Sequence, residues 1–213
     1  MNGPLLILGA TSGIGKLCMN TALARGIPVR AFARSAEALD EQPQLERMSG
    51  DARVAKDVAK ALNGAGAVVF ALGIRERLAM LWEQETLFSQ ATEILLKAMP
   101  DAKVSRLVAV TGFGAGRSRS AMSALERLGH GAVLGRVYAD KTRQEELIVK
   151  SALDWTIARP VILTNRPASG RLRVLEEPKT WRNGIVSRAD VAAYLVDAVA
   201  QGLHIRKDVV LAR

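Results

Sequence analysis

A single cysteine, Cys18, among 213 residues leaves no partner for an intramolecular disulfide and no multi-cysteine metal site. That economy suits a reducing compartment, and the expected location is cytoplasmic. Cys18 stands among Leu17, Thr21 and Ala22 on a helix-like stretch, so it is read as core rather than as a reactive thiol. Histidine is nearly as scarce. His130 and His204 occur in loop-like "LGHGA" and "GLHIR", with no Gly-x-Ser-x-Gly elbow to complete a hydrolase triad. No HExxH helix, calcium-loop spacing or Cys/His cluster is present, so no metal is expected. No apolar run is long enough to span a bilayer, and no basic segment leads into a cleavable apolar stretch, so a soluble, unexported protein without a membrane partner is expected.

Aromatic residues make up only 4% of the chain, which bears on its formal net charge of +9. Positive charge attracts polyanions whatever the fold. Yet the densest basic clusters, "GRSRS" at 116–120 and "GRLRV" at 170–174, lack the interleaved aromatics on which bases stack. The charge is read as a solvated face that attracts a phosphorylated small molecule, and a nucleic-acid partner is not expected.

What the chain has in quantity is apolar sequence, 49% of its residues, enough for one folded core over 1–213. Short continuous apolar runs mark strands at Leu5 to Leu8, Val29 to Ala33, Ala67 to Leu72, Leu107 to Val110, Trp155 to Ala158 and Val209 to Leu211. Helix-period stretches lie between them at about 13–25, 53–62, 84–98, 138–151 and 188–201. Continuous runs suit parallel strands covered on both sides, and this alternation specifies an α/β fold: a single-domain, Rossmann-type doubly wound, mostly parallel sheet with helices on both faces. The least regular segments, 112–136 and 163–186, follow strands and so fall on the carboxyl edge where such sheets bind ligands. They are expected to form the substrate side.

The first strand breaks into "GATSGIGKL". Gly9 permits a tight turn, Gly13 lets backbone approach a phosphate, and Gly15 allows close packing of the helix whose N-terminus faces the anion. Thr11 and Ser12 are suited to cap that helix or to donate to a phosphate oxygen. A P-loop is excluded, because Gly15-Lys16 is followed by Leu17 and the leading position is Ala10; Lys16 is read as a solvent-facing helix residue. The second strand ends in Arg34 and Ser35, where an NAD site would place an acidic residue to accept from the ribose 2′-hydroxyl. A fixed cation and a hydroxyl suit a 2′-phosphate, so NADP, with NADPH preferred over NADH, is the expected cofactor. Arg30, earlier on the same strand, either assists or is solvated.

"LLILGATSGIGKL", "ARS", "SGDARVAKDVAKAL", "AVVFALG", "DKTRQEELIVKSALDWTIARP" and "GIVSRADVAAYLVDAV" occur in an order that resembles the atypical short-chain dehydrogenase/reductase superfamily. The likeness is to its small NmrA-like and biliverdin reductase B or flavin reductase-like NAD(P)-binding members, and it spans nearly the whole chain. The resemblance implies extra strands after the sixth. It also implies that Gly9, Thr11, Ser12, Gly13, Ile14 and Gly15 hold the pyrophosphate, and that Asp51 and Ala52 meet the adenine. Ala71, Leu72 and Gly73 line the adenosine and nicotinamide by backbone contact, Thr111 and Gly112 lie beneath the nicotinamide, and Pro160, Val161 and Ile162 flank its carboxamide. Asp51 suits a helix N-cap equally well.

Typical members carry Tyr-x-x-x-Lys, which puts a phenol and an ammonium on one helix face. Here "VYADK" places Tyr138 three residues before Lys141, with Val137 in the tyrosine's place. Tyr138 is either a proton donor or an edge-packed tyrosine. Lys141 matches the family position that contacts the nicotinamide ribose, although an i to i+4 pair with Glu145 is the expected ground-state contact. Trp82, Trp181, Phe113 and Met80 are pocket walls or core. The expected activity is an NADPH-dependent oxidoreductase transferring hydride to a small conjugated or carbonyl-bearing acceptor, such as a flavin, a quinone or a tetrapyrrole-like molecule. The alternative is a non-catalytic NAD(P)-binding sensor of NmrA type. A monomer or homodimer is expected.

Overall fold

The computed structural model describes residues 2–73 and 86–213, the side chains of 128–134 excepted. Among the described residues, ten strands and five α-helices follow in order: β1 (Leu5–Leu8), α1 (Gly13–Ala24), β2 (Val29–Ala33), β3 (Leu45–Ser49), α2 (Ala55–Leu62), β4 (Ala67–Phe70), α3 (Leu87–Asp101), β5 (Arg106–Val110), α4 (Ala124–Lys150), β6 (Asp154–Pro160), β7 (Ile162–Thr164), β8 (Arg173–Leu175), β9 (Ile185–Ser187), α5 (Arg188–Ala200) and β10 (Lys207–Ala212). The main sheet runs β3-β2-β1-β4-β5-β6-β10-β8, with only β8 antiparallel, and β7 pairs with β9 in a small second sheet. This is the expected Rossmann-type order.

The continuous apolar runs are explained by burial on both sides. Alternate side chains of β1 point opposite ways: Leu5 and Ile7 pack with Cys18 and Met19 of α1 and Val191 and Leu195 of α5. Leu6 and Leu8 pack with Val58 of α2, Phe88 and Leu95 of α3 and Ile148 of α4. A four-residue strand with no exposed face needs no polar residue.

Three expectations need correction. The strand β3, "LERMS", goes unseen in the sequence because it is an edge strand, partly exposed along its length and paired only to β2. Segment 112–136 is not irregular throughout. A short 3-10 turn covers Gly116–Ala121, and α4 begins at Ala124 rather than at 138, so His130 lies on a helix. Its start signal is a capping box, in which the Ser123 side chain accepts from the Glu126 N–H while Glu126 accepts from the Ser123 N–H. Segment 163–186 contains β8, and its course is fixed from α5, where the Asp190 carboxylate accepts from the N–H groups of Ser169 and Gly170.

Cys18 is fully buried, and desolvation pushes its thiol up to about 12 against the pull of Arg25. Trp181 and Phe113 are also buried, whereas Met80 and Trp82 lie outside the described residues. Among the described residues no helix is long and apolar enough to cross a membrane.

Candidate functional site

The carboxyl ends of β1, β2 and β4 open into a cleft of about 1040 Å3. Gly9 turns out of β1 with φ +89°, and a Cβ there would lie 2.6 Å from the Ala71 carbonyl oxygen, so only glycine lets the two strand ends come together. Gly15 opens α1 against the same turn. Its Cβ would lie 2.2 Å from the Gly9 carbonyl oxygen. Gly13 differs from both, since φ is +54° yet nothing lies within 4 Å of where a Cβ would sit. That open space lies at a helix N-terminus, whose first N–H groups have no partner within the helix.

Ser12 occupies the N-cap position of α1 and lines the cleft, and its side chain makes no cap bond to the helix. Gly9, Thr11, Ser12, Arg34, Ser35, Asp51, Ala52, Leu72 and Gly73 all line this one cleft. Lys16, expected to face only solvent, lines it too. Arg34 is exposed, and no hydrogen bond ties it down among the described residues. Asp51 does not cap α2, which starts at Ala55. Its carboxylate accepts from the Arg53 N–H and guanidinium, and those hydrogen bonds, with a smaller pull from Arg34, hold it below the usual carboxylate range. Arg53 is a cleft residue that the sequence reading missed. Arg30 lies away from the cleft. Its guanidinium is spent on Glu46 and on the Ala61 and Asn63 carbonyls.

The second half of the edge is built around Thr111, just past β5. Its N–H donates to the Ala158 carbonyl (3.0 Å), its hydroxyl donates to Glu145 Oε1 (2.6 Å), and its carbonyl accepts from Lys141 Nζ (2.7 Å). The expected Lys141–Glu145 pair is therefore absent. Glu145 is instead gripped by Arg159, Nε to Oε1 at 2.9 Å and Nη2 to Oε2 at 2.7 Å. Arg159 also donates to Asp208, which in turn accepts from Arg117. Burial alone would raise the Asp208 carboxyl, and the hydrogen bonds from Arg117 and Arg159 outweigh it and hold it low. Both guanidinium carbons lie about 5 Å from the Trp181 ring centroid, 5.0 Å for Arg117 and 5.1 Å for Arg159.

Lys141 lies over the Phe88 and Tyr138 rings. Desolvation lowers its ammonium to about 8, with Glu145 opposing. Tyr138 is half-buried and reaches the end of β5, where a Cβ on Gly112 would meet its hydroxyl at 2.6 Å. Burial raises the phenol above its ordinary value. Val137, four residues before Lys141, is buried in the core. Pro160 and Val161 are buried at the end of β6, but Ile162 is largely exposed. Thr111, Tyr138, Lys141 and Pro160–Ile162 thus gather at the ends of β5 and β6, outside the cleft lined by the glycine loop. The signal for Arg159 was present in "DWTIARP"; its role is visible only once Glu145 and Asp208 stand beside it.

The residues fit a nicotinamide dinucleotide: a Cβ-free cradle at a helix N-terminus, then an ammonium two strands further along the edge. A family model described as NAD(P)H-binding matches residues 9–202. An uncharacterised chloroplastic protein of Arabidopsis thaliana is 28% identical, covering 92% of this chain and 72% of that protein. Among solved structures, ChuY of Escherichia coli O157:H7, described as an anaerobilin reductase, is 27% identical with TM-score 0.81 over 98% of this chain and 96% of its own. A Veillonella parvula short-chain dehydrogenase/reductase in complex with NADP, 16% identical with TM-score 0.83 over 100% and 95%, shares the fold. With the glycine loop, the sheet order and a match across most of its length, the chain belongs to the NAD(P)H-binding family.

Proposed function

We propose that this protein is an NADPH-dependent reductase that delivers hydride to an extended conjugated acceptor. The observation that carries the reading is one continuous sheet edge with an exposed guanidinium, Arg34, at the end of β2 and an ammonium, Lys141, at the end of β5. Arg34 and Ser35 hold a 2′-phosphate, and the N–H groups at the start of α1 hold the pyrophosphate. Ile14 follows Gly13 in that first turn. Lys141, with one hydrogen bond spent on Thr111, has donors left for ribose hydroxyls.

The bound cofactor supplies the hydride, so the chain's task is binding, orientation and proton supply. Buried Pro160 and Val161 close the edge beyond Thr111. Tyr138, kept protonated by its burial, carries a proton at Oη beside Gly112 and donates it to acceptors that develop negative charge; water serves for fully conjugated ones. The Thr111 hydroxyl is spent on Glu145 and transfers no proton, while the Thr111 carbonyl orients Lys141. The anaerobilin reductase name of the 27% identical neighbour supports an acceptor of extended conjugation. The inert, buried Cys18 supports a reducing compartment.

The test is loss of nicotinamide absorbance on mixing protein and NADPH with FMN, a quinone, biliverdin or simple aldehydes. Turnover with a flat acceptor is expected. Saturable NADPH binding with no turnover on any of them would instead establish the sensor reading, which the burial of Val137 in the tyrosine position favours.

A further inference from the structure

The Arg159–Glu145 pair is buried almost completely, with the two side chains 2% and 4% exposed. A buried ion pair returns little stability, because desolvating both charges offsets their attraction. Its presence asks for another explanation, and the neighbouring lysine provides one. Lys141 and Glu145 are one helical turn apart, the spacing at which ammonium and carboxylate pair. They do not pair, because Arg159 forks both oxygens of Glu145 and Thr111 takes a further site on Oε1. Among the described residues the ammonium has one hydrogen-bond acceptor, the neutral Thr111 carbonyl.

We propose that Arg159 is a positioning residue that withholds Glu145 from Lys141, so that the ammonium stays free for the nicotinamide half of the cofactor. Asp208, Arg117 and the Trp181 ring hold Arg159 in place from its far side. The glycine at 116 serves the same arrangement. A Cβ there would meet Glu145 Oε2 at 2.0 Å, so nothing larger fits over the carboxylate. This inference rests on the proposed role of Lys141 in cofactor binding.

The experiment is a binding comparison by calorimetry. Whichever of NADPH and NADH the wild type binds is titrated beside its adenosine half, adenosine 2′,5′-bisphosphate or ADP. Arg159→Leu frees Glu145 to pair with Lys141, and is expected to weaken the whole cofactor about tenfold while leaving the adenosine fragment unchanged. Adding Glu145→Gln to that variant removes the competing charge and is expected to restore cofactor affinity. A purely structural role would weaken the cofactor and the adenosine fragment alike, so the unchanged fragment together with the rescue separates the two. If Arg159→Leu does not fold, Arg159→Lys is the milder variant, keeping a charge without the two-pronged grip, and the same rescue is expected. Equal loss for cofactor and fragment, wild-type affinity in the single variant, or no recovery in the double variant would each overturn the proposal. Wild-type protein that binds neither dinucleotide would remove the reading on which it rests.

Discussion

The two ends of the ligand edge are built on opposite principles. At the ends of β1 and β2 the cleft is local and open: Gly9, Thr11 and Ser12 line it with Arg34 and Ser35, and the Ser12 hydroxyl makes no helix cap. At the ends of β5 and β6 it is assembled and closed. Thr111 follows β5, Lys141 and Glu145 stand on α4, Arg159 on β6 and Asp208 on β10, and the carboxylates, the guanidinium and the hydroxyl satisfy one another. In the proposed function the first end works by what it leaves vacant. The second determines which groups remain available by what it ties up.

The sharpest way to break this contrast is at the glycines. Gly15→Val puts side-chain atoms into the Gly9 carbonyl, and is expected to abolish cofactor binding and to cost roughly 2–4 kcal/mol of stability in denaturant unfolding. Gly13→Val meets no protein atom, so its stability cost is expected at only about 1 kcal/mol, from the positive φ, while cofactor binding is lost as fully.

Arg34→Ala acts on the open end alone. It is expected to weaken NADPH by roughly 10- to 100-fold and NADH by less than about twofold, read by fluorescence titration. Equal losses for both cofactors would remove the 2′-phosphate assignment.

Lys141→Met probes the closed end, and its stability effect has the opposite sign. The ammonium is lowered from its ordinary value to about 8, so the unfolded chain holds that proton more tightly. The charged lysine therefore costs stability below pH 8, and the cost fades as pH rises from there towards the ordinary value of 10.5. Wild-type stability is expected to gain over that window. Lys141→Met should be more stable near neutral pH by on the order of 1–3 kcal/mol, show no gain in the window, and bind NADPH about tenfold more weakly.

The smallest effect is expected at Tyr138. Tyr138→Phe should lower kcat for an aldehyde by about a hundredfold if such a substrate is turned over, and change the rate for a flavin or tetrapyrrole by less than about threefold, because water can protonate a conjugated product. With the conjugated acceptors proposed here, the second figure is the one to be measured.

The sequence by itself determined the sheet, because a strand covered on both faces has no room for polar residues and so shows as an unbroken apolar run in "LLIL" and "AVVF". It also placed the glycine turn and the cation at the next strand's end on one cleft, because a glycine forced by a close turn and a strand-end residue are separated by fixed, local spacings. The edge strand β3 left no such trace, because half of its surface faces water and only pairing with β2 makes it a strand. Only the tertiary structure decided the closed end. Helix spacing alone assigned Glu145 to Lys141. What overrode it was Arg159, 14 residues further on in β6 but buried beside it, where two charge-assisted bonds to one carboxylate outweigh a single contact available along the helix. Partner choice among buried charges depends on which of them the packing brings within reach, and that is a property of the folded chain.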